Sequence, residues 1–370
     1  MYERNLVIGK FYPPHKGHMH LIKEAARQTN GVLNVLVLGN RFESFTVTQR
    51  TNWIEAEVAK FDRTEIPARV RVIAMKNDCP EDYDSDEIWF AQVELMRHAL
   101  RNVGTYGDLN KVFSSEDYGA ELADHFNAEH VLVDLNRKAF PVSGTACRDN
   151  LDENWEMIVE PARQELATRI IVVGAESSGT TTLTEALTKH YREQFPSIKD
   201  VPEYGRTFTE SWLNALQSIN PDASMDDLDW SDADFATIAK VQSKMEEQAA
   251  LTSPLVIADT DALATGVWHQ RYCERENVPF YYPVMRRDLY LITDHQGVDF
   301  HDDGYRDGEH LREDMTETFK EVLTERGYSW VLVTGDHERR MKTATAVIDQ
   351  IIQQNTSFTS PNWAKKTVLS

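Results

Sequence analysis

Two stretches of this sequence combine residue types and spacings suited to holding a phosphate. The first, Gly9-Lys10-Phe11-Tyr12-Pro13-Pro14-His15-Lys16-Gly17-His18, follows the apolar run Leu6-Val7-Ile8 and precedes a helical pattern. That order sets Gly9, Phe11, Gly17 and a helix N-terminus at the carboxyl end of a strand, where α/β proteins bind ligands. Backbone N–H groups and the helix dipole favour an anion there. With a helix starting at Lys16, the rings of His15 and His18 reach one phosphate, and Lys16 adds a cation. A lone histidine in a Pro-rich turn would more simply cap or pack; the combination of His-x-Gly-His with the upstream Gly-x-Phe-x-Pro favours the phosphate site. The second stretch, Ile170 to Leu183, reads strand, Gly-rich turn, helix, and fits the P-loop pattern G-x-x-x-x-G-K-[ST] except at one place. Gly174, Gly179 and Thr181 stand where the pattern needs them, among Ser177, Ser178 and Thr182, but Thr180 replaces the lysine. The backbone nest survives that change, as does Thr181 as a ligand of the Mg²⁺ that accompanies ATP.

Carboxylates and arginines fall where phosphoryl transfer would use them. Ile257-Ala258-Asp259-Thr260-Asp261 ends a strand with an acid, placing Asp259 at the metal with Thr181. Pro202-Glu203-Tyr204-Gly205-Arg206 sets another acid and an arginine after a further strand. A hydroxyl that attacks phosphorus must lose its proton, so a carboxylate within hydrogen-bond reach is required; Glu203 and Asp261 are the candidates. Arg206, Arg306 and Arg312 are candidates for the cation that Thr180 lacks, and Asp302-Asp303-Gly304-Tyr305-Arg306 for a lid over the phosphates.

The elements that must position these groups are legible as alternating short strands and longer helices. Leu6–Ile8, Leu33–Leu38, Val70–Ile73, Val131–Val133, Ile170–Val173, Leu255–Ile257, Leu289–Ile292 and Trp330–Val333 are apolar runs of strand length, as in a parallel sheet buried on both faces. Helical patterns fill His18–Gln28, Thr182–Phe195 and Ala233–Leu251. The expected fold class is α/β, in two tandem domains with parallel sheets, over residues 1–160 and 165–355, with a polar tail at 356–370. Glu153–Ala167 reads as a charged helix at the boundary, and Asn220–Asp234 as an exposed acidic loop. The 370 residues carry 39 Lys and Arg against 60 Asp and Glu, a net charge of −21, which excludes a broad grip on nucleic-acid phosphates. Three scattered cysteines, Cys79, Cys147 and Cys273, make neither a disulfide framework nor a Cys-rich structural zinc site. No apolar run reaches membrane-spanning length and no signal peptide precedes the first strand, so no membrane insertion and a cytoplasmic location are expected.

The first stretch resembles the adenylyltransferases of the nucleotidylyltransferase superfamily. Their second signature, a serine at a helix start followed by an arginine, is matched by Pro141-Val142-Ser143-Gly144-Thr145-Ala146-Cys147-Arg148. Ser143 and Thr145 cap the helix and Arg148 holds phosphate oxygens. In that reaction a phosphate oxygen attacks the α-phosphorus of ATP and pyrophosphate leaves. The nucleophile is already ionised at neutral pH, so positioning donors and cations suffice.

Over nearly the whole chain the sequence resembles the NadR-type bifunctional proteins, in which a nicotinamide-mononucleotide adenylyltransferase is fused to a ribosylnicotinamide kinase. The residues that carry this likeness are Gly9-Lys10-Phe11-Tyr12-Pro13, Val112-Phe113-Ser114-Ser115-Glu116, Val142-Ser143-Gly144-Thr145, Glu203-Tyr204-Gly205-Arg206, Asp259-Thr260-Asp261 and Asp303-Gly304-Tyr305-Arg306. The resemblance implies a Rossmann-like nucleotidylyltransferase domain followed by a P-loop kinase domain. It implies ATP with Mg²⁺, nicotinamide riboside, nicotinamide mononucleotide and NAD as ligands, and a riboside transporter as a partner; a homo-oligomer stays open. Tyr204 and Arg206 become substrate contacts, Trp53 and Trp89 candidates to stack on the cationic pyridinium, Ser114 and Ser115 contacts to adenine or ribose, and Asp261 and Trp268 contacts to riboside. Some family members carry an N-terminal helix-turn-helix, for which no room is expected ahead of Leu6. Thr180 keeps a second reading alive, in which the P-loop unit binds nucleotide as a sensor without kinase activity.

Overall fold

The β-branched runs fold as parallel strands joined by helices. The computed structural model describes residues 2–79, 85–281, 287–301, 305–306 and 308–358; Asp302, Asp303 and Gly304 of the expected lid, and residues 81–84 of the acidic loop before Trp89, lie outside them. The chain divides into two units, one running through Ala162 and rejoined from Thr356, the other from Arg163 to Asn355.

In the first unit the order is β1 (Glu3–Gly9), α1 (Lys16–Arg27), β2 (Gly31–Gly39), α2 (Val47–Val58), β3 (Arg69–Lys76), α3 (Asp86–Asn102), β4 (Lys111–Ser114), α4 (Gly119–His125), β5 (Glu129–Leu132) and α5 (Gly144–Asp149). The sheet order is β3-β2-β1-β4-β5, so the chain reverses its direction of winding between β1 and β4. The alternation of side chains builds a core on each face. Val7, Val35 and Val37 pack with Leu21, Ile22 and Ile54 on one face, and Leu6, Leu36 and Val112 with Val93, Met96 and Leu122 on the other. Each such buried aliphatic contributes about 1.5–3 kcal/mol of transfer free energy. The boundary segment is less regular than its charge pattern predicts: a single 3₁₀ turn at Trp155–Met157 precedes α6 (Glu160–Leu166), because Trp155 turns inward and is fully buried.

The second unit follows with β6 (Thr168–Gly174), α7 (Thr180–Tyr191), β7 (Asp200–Val201), α8 (Tyr204–Gln217), α9 (Asp232–Thr252), β8 (Leu255–Asp259), α10 (Ala262–Tyr272), β9 (Leu289–Thr293), α11 (Arg312–Glu325), β10 (Trp330–Val333) and α12 (His337–Thr356). Its sheet order is β10-β9-β6-β8-β7, again all parallel, with β6 at the reversal. Asn220–Asp234 is not merely a solvated loop: Ala223 and Leu228 bury themselves beside Leu213 and Trp230. Among the described residues no helix is long and apolar enough to cross a membrane.

Candidate active sites

Each unit opens a cavity at the carboxyl end of the strand where its sheet reverses, the position at which open parallel sheets bind ligands. The first turns of α1, α5 and α7 contain no acidic residue, so their N-terminal dipoles stay available to an anion.

In the first unit the cavity measures about 500 Å³ and is lined by Gly9, Phe11, His15, Gly17, His18, Trp89, Ser115, Ser143, Thr145 and Arg148, among others. Helix α1 begins at Lys16, as the spacing required. Its cap is reciprocal: the His18 backbone N–H donates to His15 Nδ1 at 3.4 Å, and the His15 backbone N–H donates to His18 Nδ1 at 3.3 Å. The rings stack 3.6 Å apart. Because both Nδ1 atoms accept, each ring carries its proton on Nε2, a tautomer assigned from the hydrogen bonds. Burial, and after it Arg137, pushes His15 down to about 4; burial, His15 and Arg137 hold His18 well below its usual value. At neutral pH the pair is therefore two uncharged N–H donors. Gly17 permits the stack, since a Cβ would stand 3.1 Å from His15 Nδ1. Ser143 caps α5 by accepting from the Ala146 N–H at 3.0 Å, and Arg148 donates to the Tyr12 carbonyl at 2.6 Å and to the Thr145 hydroxyl at 3.2 Å. The signatures around residues 9–18 and 143–148, more than a hundred residues apart, thus meet on one wall. Arg137, bound to Glu116 at 2.6 Å, also lines this cavity; the sequence marks it by nothing beyond its charge.

In the second unit a cavity of about 360 Å³ joins the Gly-rich loop to an aromatic wall of Trp230, Trp268, Tyr272 and Tyr305. Its volume lies in the range of small-molecule sites. Gly174, Ser177, Thr180, Thr181, Glu203, Arg206, Asp259 and Arg306 line it. Gly179 adopts φ 92° at the cap of α7, a left-handed conformation open to glycine at little cost. Thr260, at φ 72°, is a β-branched residue in that region and a strained element of the lining. Thr181 donates to Asp259 Oδ2 at 2.5 Å. Burial pushes the Asp259 carboxyl up although the Thr181 and Thr180 hydroxyls oppose the shift. Burial, followed by Asp259, pushes Glu203 up to about 8. The loop is braced by arginines: Arg340 donates to the Ser178 carbonyl at 2.5 Å, Arg312 to the Ser177 carbonyl at 3.2 Å, and Arg306 to the Ser177 side-chain hydroxyl at 3.1 Å. Among the described lining residues the positive side chains are Arg206 and Arg306. Arg340 was not legible in the sequence, because an arginine on the last helix carries no motif.

Several expected site residues stand elsewhere. Asp261 does not line the cavity: it caps α10 through the Ala264 N–H and accepts from Tyr290 at 2.6 Å and Arg287 at 3.1 Å, so both oxygens are engaged. Trp53 is core, packed 5.8 Å from Phe45 and 1% exposed; Trp89 is the tryptophan on the cavity wall. Ser114 is held by His130 at 2.8 Å and the Glu116 carbonyl, leaving Ser115 on the wall. Lys16 and Thr182 are exposed outside the two linings, on the outer sides of α1 and α7. Ser178 turns away to Ala175 and Thr293, both at 2.6 Å, and shapes the loop instead of lining it, and Gly179 contributes its turn geometry only. Tyr204 also stays off the wall, its N–H donating to Gln242 and its ring beside Phe208. Arg312 is spent on the carbonyls of Ser177, His295 and Val298, and does not line the cavity.

A family model described as an AAA domain matches residues 169–340. The "Trifunctional NAD biosynthesis/regulator protein NadR" of Escherichia coli (strain K12) is 25% identical over 304 residues, 78% of this chain and 68% of that protein. A "Nicotinamide-nucleotide adenylyltransferase" of Picrophilus torridus is 27% identical over 172 residues, 43% of this chain and 86% of that one. Among solved structures, a NadR protein in complex with NR superposes with a TM-score of 0.57 at 21% identity, covering 94% of this chain and 96% of that chain. A NadR protein in complex with NAD and AMP-PNP gives 0.56 at 19% identity over 98% of both. These two structures share the α/β fold of each unit.

Proposed function

Taking the chain as a NadR-type protein, alike in sequence and fold over both units, we propose that it makes NAD from nicotinamide riboside in two steps. In the first step the second unit transfers the γ-phosphoryl group of ATP to the riboside hydroxyl. The oxygen–phosphorus bond forms as the bridging bond to ADP breaks, and the hydroxyl proton passes to Glu203. A carboxylate raised to about 8 by burial is a strong base once ionised. Thr181 and Asp259 fit a hard divalent cation, since a hydroxyl and a buried carboxylate already converge within 2.5 Å. Bound there, Mg²⁺ would draw charge from the β- and γ-phosphates. The aromatic wall suits a cationic pyridinium, and Arg206 and Arg306 face the phosphates.

In the second step the new phosphate monoester attacks the α-phosphorus of a second ATP in the first unit, and pyrophosphate leaves. His15 and His18 donate through Nε2 and Arg148 through its guanidinium. No base is required, in keeping with two histidines held neutral. The observation that carries the reading is the pairing, in one chain, of a phosphate cavity with the buried Glu203 carboxyl beside Thr181 and Asp259 and one in which two neutral histidines and Arg148 supply donors.

The test is a product profile with Mg-ATP, started in parallel from nicotinamide riboside and from its mononucleotide. NAD from both is expected. NAD from the mononucleotide alone would favour the second reading, that of a nucleotide sensor, which Thr180 motivates. NAD from neither would sink the proposal.

A further inference from the structure

Three side chains of the second unit that the proposed reaction leaves unused converge as a transition-metal site would require. His269 and Cys273 are four residues apart at the end of α10, so they project from one face of the helix. Asp232, the first residue of α9, meets them there: ligand atoms of Asp232, His269 and Cys273 all lie within 4.8 Å of one another. We propose that this cluster binds a divalent cation of the zinc class through the Asp232 carboxylate, His269 Nε2 and the Cys273 thiolate, leaving a fourth position to water.

The imidazole is already oriented for that role. Its Nδ1 meets the Tyr281 hydroxyl at 2.8 Å and its ring stacks 4.7 Å from Phe235, so Nε2 is turned to Asp232 Oδ1 at 2.9 Å. An oxygen on the far nitrogen is the usual way a ligating histidine is fixed. Asp229 and Asp234 add negative charge around Cys273, which favours a cation. One nitrogen, one sulfur and one oxygen suit a borderline ion better than Mg²⁺, which prefers oxygens alone. Bonds of about 2.0–2.3 Å would draw the three atoms closer, and Asp232, whose side chain is 66% exposed, supplies the movement. Arg275, now paired with Asp232, is the cation that the metal displaces. Binding releases the thiol proton to solvent. An ion at this place ties the start of α9 to the end of α10, next to Trp230, Trp268 and Tyr272. The inference does not depend on the reaction assigned to either cavity.

The experiment titrates the chelator-stripped full chain with Co²⁺, then Zn²⁺, without nucleotide. One Co²⁺ per chain with a thiolate-to-cobalt charge-transfer band, displaced by Zn²⁺, is expected. Cys273→Ser should remove the band, and Asp232→Asn should weaken binding at least about tenfold. The absence of a band in the parent chain overturns the assignment however the variants fold. So does a band that survives Cys273→Ser, since it would report Cys79 or Cys147, or an affinity undiminished by Asp232→Asn.

Discussion

Thr180 leaves the second cavity short of a cation, and of the two arginines described on its lining Arg306 reaches the loop, 3.1 Å from the Ser177 hydroxyl. An arginine aimed at the transferred group accelerates phosphoryl transfer by about 10³ or more. Arg306→Ala should therefore lower kcat/KM for riboside phosphorylation by about that factor, whereas Thr180→Lys should change it less than about tenfold; steady-state assays of both variants would decide, and near-parental activity in Arg306→Ala would remove the role. In the first cavity each histidine offers one neutral donor. His15→Ala and His18→Ala should each reduce kcat of adenylyl transfer by about 10²–10³, the loss typical of one oxyanion donor. The pH profiles should differ in kind. Glu203 must be ionised to act and is raised to about 8, so phosphorylation should rise with pH and level off above that value, and Glu203→Gln should flatten the profile at a low rate. Adenylyl transfer should show no inflection near neutrality from the His15–His18 pair, because burial pushes His15 down to about 4 and holds His18 well below its usual value. Of these residues the sequence marked all but the protonation states, which depend on burial by side chains distant along the chain.

At the scale of elements, the starts of helices carry the chemistry. The His15–His18 cap was readable as a three-residue spacing, but not as a cap, since histidine is not among the favoured N-cap residues. Asp261 follows Asp259 by two residues and looks equally catalytic in the sequence, yet it caps α10 and closes a buried network with Arg287 and Tyr290. Removing one member of such a network costs about 3–5 kcal/mol. Asp261→Asn should thus destabilise the second unit by roughly that amount in urea unfolding while turnover per folded molecule stays near the parent's; loss of turnover at unchanged stability would restore Asp261 as a base. Each of the eight expected apolar runs overlaps a strand, though Val133 falls beyond the end of β5, because continuous β-branched runs leave few alternatives to a buried parallel sheet. Among the short elements, β7 is expected ahead of Glu203, α5 after Ser143 and α6 within Glu153–Ala167, whereas α4 carries no motif and too short a period to read.

Over the whole molecule, two cores carry buried groups shifted in opposite senses. His15 falls from 6.5 to about 4, so the unfolded first unit binds more protons between those values and its stability drops as pH falls from 6.5 towards 4. Glu203, and Glu246 of α9, which is buried 2.8 Å from Arg287, rise from 4.5 to about 8, so the folded second unit binds more protons and its stability drops as pH rises from 4.5 to 8. Scanning calorimetry without nucleotide between pH 5 and 6.5 should show two transitions moving apart or together with opposite slopes; parallel slopes would contradict these environments. The sequence by itself determined the two parallel α/β units, the two anion loops and the lack of a lysine in one of them, because strand runs, glycine spacing and residue type are local. Only the tertiary structure decided that Trp89 and not Trp53 faces a cavity, that Trp230 and Tyr272 complete the aromatic wall, and that Asp232, His269 and Cys273 meet. Which side of an element faces a cavity is set by what packs on its other side, and those partners come from far along the chain.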